Sequence, residues 1–386
     1  MRRALRSRIV RTFLITQLLL EVQFWFPVYL IYLLDLGFSL TTAVLADAVF
    51  RLVAVACEFP VGVLADLAGR RRSYLALAGG TVLAFVAITQ IDSTGLLFGA
   101  WALWGVQWAL TSGVASAYLY DLCAQNEPDL DPTRVFGLSR AVGSVAVLIS
   151  LLAAGYLYEV DPRLPFAVTA ALAIPAAILT LTLPEIRAPR QHTALKSVLE
   201  NLRDAWTRAG VRRAAWLGVI LLVFGWSARI LFQPLALDLG LSARVTGWMY
   251  AAFAAASMAG GLTAGYIRLH HRRATLATVF LLILATLAAT AQASWLGPFL
   301  FLPVLGFGYA LGTTVLEVVT HEVTPQPVRA MMFGLVTCLG GIGIAVSRPA
   351  LGVLTADHSV AFAFGVWACV GVVLLGLATA ILRRVH

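Results

Sequence analysis

Amide and ionisable side chains lie inside otherwise apolar stretches of this sequence, where each is costly and is therefore a functional candidate. Gln17 and Glu21 are four positions apart, so a helix places them on one face. A carboxylate in such a stretch can bind and release a proton, which makes Glu21 our first candidate for proton coupling. Glu317 is the second candidate, because it follows Tyr309 and Thr313 along one face of a later apolar stretch.

Several of these embedded charges have a structural alternative to a functional role. Arg140 can hold Glu21 in a static ion pair, and Asp47 and Arg51 have the i, i+4 spacing of an intrahelical pair. An arginine near the end of an apolar stretch either extends toward water or lines a cavity as an outer gate or anion site. Two or more arginines in one cavity would favour an anionic substrate, whereas carboxylates without them would favour a cation. The candidates for a substrate cavity or outer gate are Gln17, Asp47, Arg51, Arg140, Arg229, Gln233, Tyr309 and Arg348.

The composition requires a membrane around these residues. Of the 386 residues, 60% are hydrophobic and 12% are charged, and the mean hydropathy is +0.87. A soluble core cannot hold this much apolar sequence, whereas each membrane helix takes about 20 apolar residues. We therefore predict an all-α integral membrane protein with twelve transmembrane helices, called spans 1 to 12. Their approximate ranges are 9–34, 41–66, 73–92, 95–122, 133–158, 163–184, 213–237, 244–267, 274–293, 297–320, 329–355 and 359–382.

The basic charge is distributed as membrane topology requires. The net charge is +9, and 22 of the 28 Lys and Arg residues lie at the two termini or in alternate loops. Only Arg163 and Arg244 lie in the opposite loops, and the other four arginines lie within spans. This positive-inside pattern predicts cytoplasmic termini, with an N-terminal signal anchor, in the bacterial inner (plasma) membrane. The charge thus gives no reason to expect a nucleic-acid partner.

Motifs for enzymatic chemistry are missing from the sequence. The four cysteines have no metal-ligand spacing, and neither an H-E-x-x-H run nor a nucleotide-binding G-x-x-x-x-G-K-[ST] run occurs. We therefore expect no catalytic residue, no metal site and no cofactor, and we predict that the protein is not an enzyme. Trp101, Trp104 and Trp108 form an aromatic stripe on span 4, which can stack on a hydrophobic ligand or simply pack.

The sequence indicates two related halves joined by a basic linker. "DLGFS" at Asp35 follows span 1, and "DLGLS" at Asp238 follows span 7, 203 positions later. We predict six-helix halves at 1–184 and 213–386, which is an arrangement of parallel repeats typical of transporters. The linker, 185–212, carries an apolar stripe opposite basic residues, so we expect a helix on the membrane surface. The stripe consists of Leu195, Val198, Leu199, Leu202 and Trp206.

The run "GVLADLAGRRR", from Gly62 to Arg72, resembles the helix 2–3 signature of the major facilitator superfamily. The stretches "SGVASAYLYD", ending at Asp121, and "HEVTPQPVRA", opening span 11, are similar to a bacterial, drug-efflux-like branch of it. The resemblance implies the fold of that superfamily, in which two six-helix halves are related by a pseudo-two-fold repeat. It also implies that spans 1, 4, 7 and 10 line a central cavity.

The resemblance further implies an inner-face latch, formed by Asp66, Arg70 and Asp121, that opens when the transporter faces inward. We expect Gly62 to let span 2 approach a neighbouring helix closely and Gly69 to suit the tight turn. Leu269 stands where the repeat would place the matching Asp, so we expect the first half alone to carry the latch. Glu58 and Pro60 belong to a family-like E-x-P-x-G run, and Pro60 should bend span 2 as a hinge.

The leading hypothesis is a secondary transporter that works by alternating access, is driven by the proton gradient and exports hydrophobic or amphipathic compounds. Span 5 lacks the Gly-Pro pair of the antiporter branch, which counts against drug–proton exchange without excluding it. One alternative is uptake or uniport of a small solute, such as a sugar or an organic anion. Another is a transport-inactive sensor or scaffold. The expected partners are the lipid bilayer and a small-molecule substrate, and we expect a monomer.

Overall fold

The structure is a computed structural model, and the described residues are helical or lie in short turns. It describes residues 6–111, 113–127, 130–186, 203–267, 272–292, 297–325 and 329–382. The side chains at 66, 273, 329–331, 379, 381 and 382 lie outside this description. So do the linker positions Leu195, Val198, Leu199 and Leu202.

The observed helices follow the predicted spans in chain order, and within the described ranges nine of those spans are single helices. Of the helices in the described ranges, eight are long and apolar enough to cross a membrane, and span 9 contains a shorter apolar helix. The single helices are Leu40–Ala68, Arg70–Thr89, Pro132–Val160, Leu164–Leu181, Ala243–Ala264, Arg272–Thr290, Gly297–Val323, Arg329–Asp357 and Val360–Leu382.

Spans 1 and 4 are interrupted, although the sequence predicted each of them to be one continuous helix. Span 7 remains helical throughout and tightens to one 3₁₀ turn at Arg229–Leu231 before it resumes as an α-helix. An interruption frees backbone groups that need partners within a membrane, and the N–H of Gln23 in span 1 donates to Ser150 Oγ at 2.8 Å. The segments are Arg8–Leu20 and Tyr29–Asp35 in span 1, Thr94–Thr111 and Val114–Asn126 in span 4, and Ala209–Ala228, Arg229–Leu231 and Phe232–Asp238 in span 7.

Contacts divide the chain into two compact units. The first comprises Met1–Gly37 and Val49–Arg190, and the second comprises Phe38–Ala48 and Gln191–His386. The opening residues of span 2 are therefore counted with the second unit. The sequence-level boundaries at 184 and 213 remain a proposal.

The repeated "DLG" motifs adopt the same local structure in both halves. Gly37 and Gly240 have positive φ values of 87° and 69°, a conformation that glycine adopts without strain, and each follows the end of a helix. The serines two positions later, Ser39 and Ser242, cap the next helix by accepting a backbone N–H at 3.1 and 3.4 Å. The sequence repeat therefore corresponds to a structural repeat.

Adjacent glycines on span 8 give a matched prediction for helix packing. A Cβ on Gly260 would overlap the carbonyl oxygen of Phe307 and lie 3.0 Å from its carbon, whereas on Gly261 it would meet only Thr314 Oγ1, at 4.0 Å. We expect Gly260→Ala to lower the free energy of unfolding by about 1–3 kcal/mol, because backbone atoms on span 10 cannot move aside easily. Gly261→Ala should raise it by up to about 1 kcal/mol through helix propensity.

The comparison is made by thermal unfolding of the detergent-purified variants. Equal unfolding temperatures for Gly260→Ala and Gly261→Ala would contradict this packing.

Candidate functional site

A cavity of about 280 Å³ lies within the first unit, at the interruption of span 1. Residues from spans 1, 3, 4 and 6 line it. Its walls combine aromatic rings with a few polar groups, which is the usual composition of a small-molecule site. The rings are Trp25, Tyr74, Phe85, Trp104 and Trp108, and the principal polar groups are Gln17, Glu21, Gln23, Thr81 and Gln107.

Trp104 is at the centre of the aromatic wall. Its ring centroid lies 4.5 Å from that of Trp25 in an edge-to-face arrangement, and 5.7 Å from that of Phe85. Trp108 also lines the cavity, whereas Trp101 is fully buried in packing. The aromatic stripe predicted on span 4 therefore divides into two residues at the cavity and one in the core.

Glu21 caps the first helix of span 1, directly at the interruption. Ser139 Oγ on span 5 donates a short hydrogen bond to Gln17 Oε1, which leaves the Gln17 amide nitrogen for the Glu21 side. Both side chains lie over Gly143, where a Cβ would be 3.7 Å from Glu21 Cδ and 3.8 Å from Gln17 Nε2. The structure thus brings Gln17 and Glu21 together as predicted, and adds Ser139 and Gly143, which sequence reasoning missed.

Arg140 does not take the position that the static-pair alternative required. Its side chain is exposed on span 5, and it is not among the residues that line the cavity. Arg140 is one position from the buried Ser139, so its side chain projects about 100° around the helix from the hydroxyl that binds Gln17. The neighbour of Glu21 on the facing wall is therefore Gly143, which leaves room beside the carboxylate.

The hairpin between spans 2 and 3 carries the predicted ion pair. Arg70 Nε lies 2.7 Å from Asp121 Oδ2 at the end of span 4, and Gly69 makes the turn with a φ of 98°. The side chain of Asp66, the third member of the predicted latch, lies outside the described residues. The close approach predicted at Gly62 is wrong, because nothing lies within 4 Å of the position a Cβ would take.

Glu185, after span 6, binds the same hairpin and was missed by sequence reasoning. Its Oε1 accepts the backbone N–H of Arg71 at 3.2 Å, and its Oε2 lies 3.5 Å from Arg71 Nε and 3.9 Å from Arg72 Nε. Tyr118 donates to the carbonyl oxygen of Pro184 at 2.6 Å. The basic residues after Gly69 therefore hold the segment that follows span 6, in addition to any role in topology.

The second unit contains an ion pair that corresponds to Arg70–Asp121. Arg272, at the start of span 9, contacts both carboxylate oxygens of Glu322, at 2.7 and 2.6 Å. The two partners are 50 positions apart, against 51 in the first unit. The prediction that only the first half has such a pair is therefore wrong, because a carboxylate on span 10 serves even though Leu269 replaces the expected acid.

Asp47 and Arg348 form a short, buried ion pair within the second unit. Their residues are 3% and 1% exposed, and Arg348 Nη2 also donates to the carbonyl oxygen of Trp226 at 3.3 Å. The i, i+4 spacing had indicated Arg51 as the partner of Asp47, whereas the observed partner lies 301 positions along the chain. Arg51 lies near the Phe50 ring, with its Cζ 5.3 Å from the ring centroid.

In the second unit, Trp226 contacts two of the candidate residues, Arg229 and Tyr309. The guanidinium of Arg229 lies 3.6 Å from the Trp226 ring centroid, and the ring of Tyr309 lies 5.5 Å from it. Tyr250 donates to the carbonyl oxygen of Arg229 at 3.0 Å, at the 3₁₀ turn of span 7, and Gln233 is buried nearby in sequence. Trp226 had no motif that could have marked it in the sequence.

The remaining candidates occupy less enclosed positions. Glu317 is exposed on span 10, and span 2 continues as a helix through Glu58 and Pro60. Among the described residues, no group of three or more His, Cys, Asp or Glu side chains could hold a metal ion.

Comparisons with known proteins agree with this architecture. The family model described as Major Facilitator Superfamily matches residues 13–235 and 215–386. The crystal structure of the nucleoside transporter NupG superimposes with a TM-score of 0.78 at 14% identity, covering 98% of this chain and 100% of that one. At that identity the likeness shows the fold alone.

Among curated relatives, the enterobactin exporter EntS of Shigella dysenteriae is 28% identical over 69% of this chain, and the uncharacterised MFS-type transporter YxaM of Bacillus subtilis is 22% identical over 58%. The matches span 60% and 57% of the lengths of those relatives. The match to the family model covers both halves, and the chain therefore belongs to the major facilitator superfamily, as a multi-pass membrane protein.

Proposed function

We propose that this transporter uses the proton gradient to export hydrophobic or amphipathic compounds by alternating access. The observation that carries the proposal is the position of Glu21, at an interrupted helix and on the wall of an aromatic cavity. Interrupted helices are a recurrent device at the substrate and ion sites of secondary transporters. Gln17 forms a side-chain hydrogen bond with the carboxylate, and the carboxylate lines the cavity, so a proton can reach and leave it through the cavity.

Export is favoured by the relatives, since EntS is named an enterobactin exporter. We place the protein in the inner membrane with both termini in the cytoplasm, on the charge distribution among its loops. Impermeant labelling of a cysteine added at each terminus, in intact cells and in inverted vesicles, tests that orientation.

Proton movement in reconstituted liposomes tests the function. The liposomes enclose a pH-sensitive dye, and cationic dyes, antibiotics, sugars and organic anions are added one at a time. We expect a substrate-dependent pH change with at least one hydrophobic or amphipathic compound. Equilibration of a labelled solute without any pH change would contradict proton coupling, and a response to sugars or organic anions alone would favour uptake of a small solute.

We further propose that Arg70 and Asp121 act as a latch that favours one conformation. The pair is partly exposed, at 15% and 19% of its side-chain surfaces, so it is weak enough to open during transport. We expect Asp121→Asn to change the ratio of inward-open to outward-open protein about three- to tenfold, corresponding to about 1 kcal/mol. Maleimide labelling of single cysteines on the cytoplasmic side, in a background without the four native cysteines, measures this ratio.

The exchanged pair, Arg70→Asp with Asp121→Arg, is the matched control and should restore part of the original ratio. An unchanged ratio in Asp121→Asn would refute the latch.

A further inference from the structure

The ionisable charge in the lining of the first-unit cavity is of one sign, negative. Glu21 is the only carboxylate among the described residues that line it, and no Lys, Arg or His belongs to that lining. This partly buried carboxylate needs a proton or a cationic partner when the cavity is closed to water. The ionised Glu21 carboxylate would repel an anionic ligand, and the lining offers no basic side chain to compensate, so the lining favours positive charge.

Gln107 adds a hydrogen-bond acceptor to the cavity, its Oε1, to which no group in the described part of the chain donates. Its Nε2 donates to Thr81 Oγ1 at 2.9 Å, and the Thr81 hydroxyl donates in turn to the carbonyl oxygen of Leu77. Thr81 can therefore only accept from Gln107, which fixes the orientation of the amide. The remaining atom, Gln107 Oε1, is buried without a hydrogen-bond partner, and Gln107 is only 7% exposed.

A buried acceptor without a donor is uncommon in folded proteins and calls for an explanation. Gly80 packs against this side chain, since a Cβ there would lie 3.3 Å from Gln107 Cγ, so the amide is held in place. A ligand N–H is the group that would satisfy Oε1. The cavity therefore offers two acceptors of different charge, the Glu21 carboxylate and the Gln107 carbonyl oxygen.

The walls and the size restrict the rest of the ligand. Trp25, Phe85 and Trp104 present aromatic surfaces that stack on flat apolar groups and attract cations through their ring faces. The volume of about 280 Å³ is at the lower end of the range of small-molecule pockets. One aromatic ring with a short side chain matches this space.

We propose that the cavity binds a small aromatic compound that carries a hydrogen-bond-donating cation, such as a primary ammonium or an amidinium. Glu21 is the counter-ion, Gln107 Oε1 accepts an N–H of the same cationic group, and the aromatic wall around Trp104 holds the ring. This rests on the proposed function for the place of the substrate and adds its chemical class. It also separates N–H cations from quaternary ones, which cannot donate to Gln107.

Calorimetric titration of the detergent-purified protein, without any gradient, tests this with four probes that share one phenyl group. They are 2-phenylethylammonium, its N-trimethyl analogue, 2-phenylethanol and 3-phenylpropionate. We expect the primary ammonium to bind about tenfold or more tightly than the alcohol and the trimethyl analogue, since a hydrogen bond to a charged group is worth that much, and the carboxylate not to bind. Equal or tighter binding of the alcohol, the carboxylate or the trimethyl analogue would overturn the proposal.

Two variants test separately the contacts of Glu21 and of Gln107 with the ligand cation. Glu21→Gln should remove the preference for the ammonium over the alcohol, whereas Gln107→Leu should keep that preference and reduce the preference for the primary over the trimethyl cation. Asp92→Asn, which neutralises an exposed carboxylate in the same unit, is the matched control and should leave all four affinities unchanged. If a variant fails to fold, the order of the four probes in the unmodified protein still decides.

The binding and liposome measurements together distinguish an error in the proposed function from an error in the proposed ligand class. Selective binding of the primary ammonium without proton movement in liposomes would contradict proton coupling and leave the site standing. Proton movement driven by other compounds, with no preference among the four probes, would overturn the ligand class alone.

Discussion

Glu21→Gln is expected to reduce substrate-dependent proton movement in liposomes to the rate of protein-free liposomes, while the protein still inserts and folds. Gln has nearly the shape of the protonated carboxyl group, so the side-chain hydrogen bond with Gln17 and the contact over Gly143 can persist. What the variant lacks is a group that can release and recover a proton in each cycle. Dye-loaded liposomes measure the proton flux, and size-exclusion chromatography of the purified variant checks the fold.

Glu317→Gln tests which of the two carboxylates predicted from the sequence, Glu21 or Glu317, is needed for proton coupling. Glu317 is exposed on span 10 and does not line the cavity that holds Glu21, so its variant should keep substrate-dependent proton movement. Loss of proton movement in Glu317→Gln together with full activity in Glu21→Gln would reverse the assignment.

Ser139→Ala should reduce the proton flux in the same liposomes without abolishing it, because Ser139 contacts Gln17 and acts on Glu21 only through it.

The helical architecture and the arrangement around Glu21 were predictable because they depend on short-range patterns. Apolar stretches of about 20 residues identify spans whatever their partners are. The pairing of Gln17 with Glu21 follows from spacing along one helix, and the Arg70–Asp121 pair followed from a resemblance to a family signature.

The interruptions were not predictable, because an apolar stretch looks the same whether the helix continues or stops within it. The interruption of span 1 depends partly on Ser150, on another span, which receives the freed N–H of Gln23. That partner lies 127 positions away, and no local pattern indicates it. The same reasoning applies to Asp47, for which spacing along the helix indicated only Arg51, whereas Arg348, 301 positions away, binds it.

Glycines were the least predictable residues, because their role depends on what faces them. Gly62 belongs to the family-like motif and meets only open space, whereas Gly143 belongs to no motif and faces Glu21. Both residues look alike in the sequence. Their difference is visible only once the neighbouring helix is in place.

The largest expected effect on stability comes from Arg348. Arg348→Met should lower the free energy of unfolding by about 3–5 kcal/mol, because it leaves the Asp47 carboxylate buried without its counter-charge. Asp47 is 3% exposed, so water cannot replace the lost partner. The variant also removes the donor to the carbonyl oxygen of Trp226, next to the 3₁₀ turn of span 7. Unfolding in increasing concentrations of a denaturing detergent, followed by circular dichroism, measures the change.

An exposed pair provides the matched control for the loss of an arginine. Arg134 Nε lies 3.3 Å from Asp131 Oδ2, and their side chains are 74% and 50% exposed. Arg134→Met should change the free energy of unfolding by less than about 1 kcal/mol, because water screens the pair. Similar losses in Arg348→Met and Arg134→Met would contradict the burial that the structure assigns to Arg348.

The double variant Asp47→Leu with Arg348→Met distinguishes a lost attraction from an uncompensated charge. If the cost of Arg348→Met arises mainly from the unpaired carboxylate, removing that carboxylate as well should recover most of the stability, since apolar replacements of buried ion pairs are often neutral or stabilising. A double variant as unstable as the single one would mean that packing around Trp226, and not the charge of Asp47, accounts for the loss. Recovery of stability would instead show that this pair is retained for a reason other than stability, which makes transport by the double variant the informative measurement.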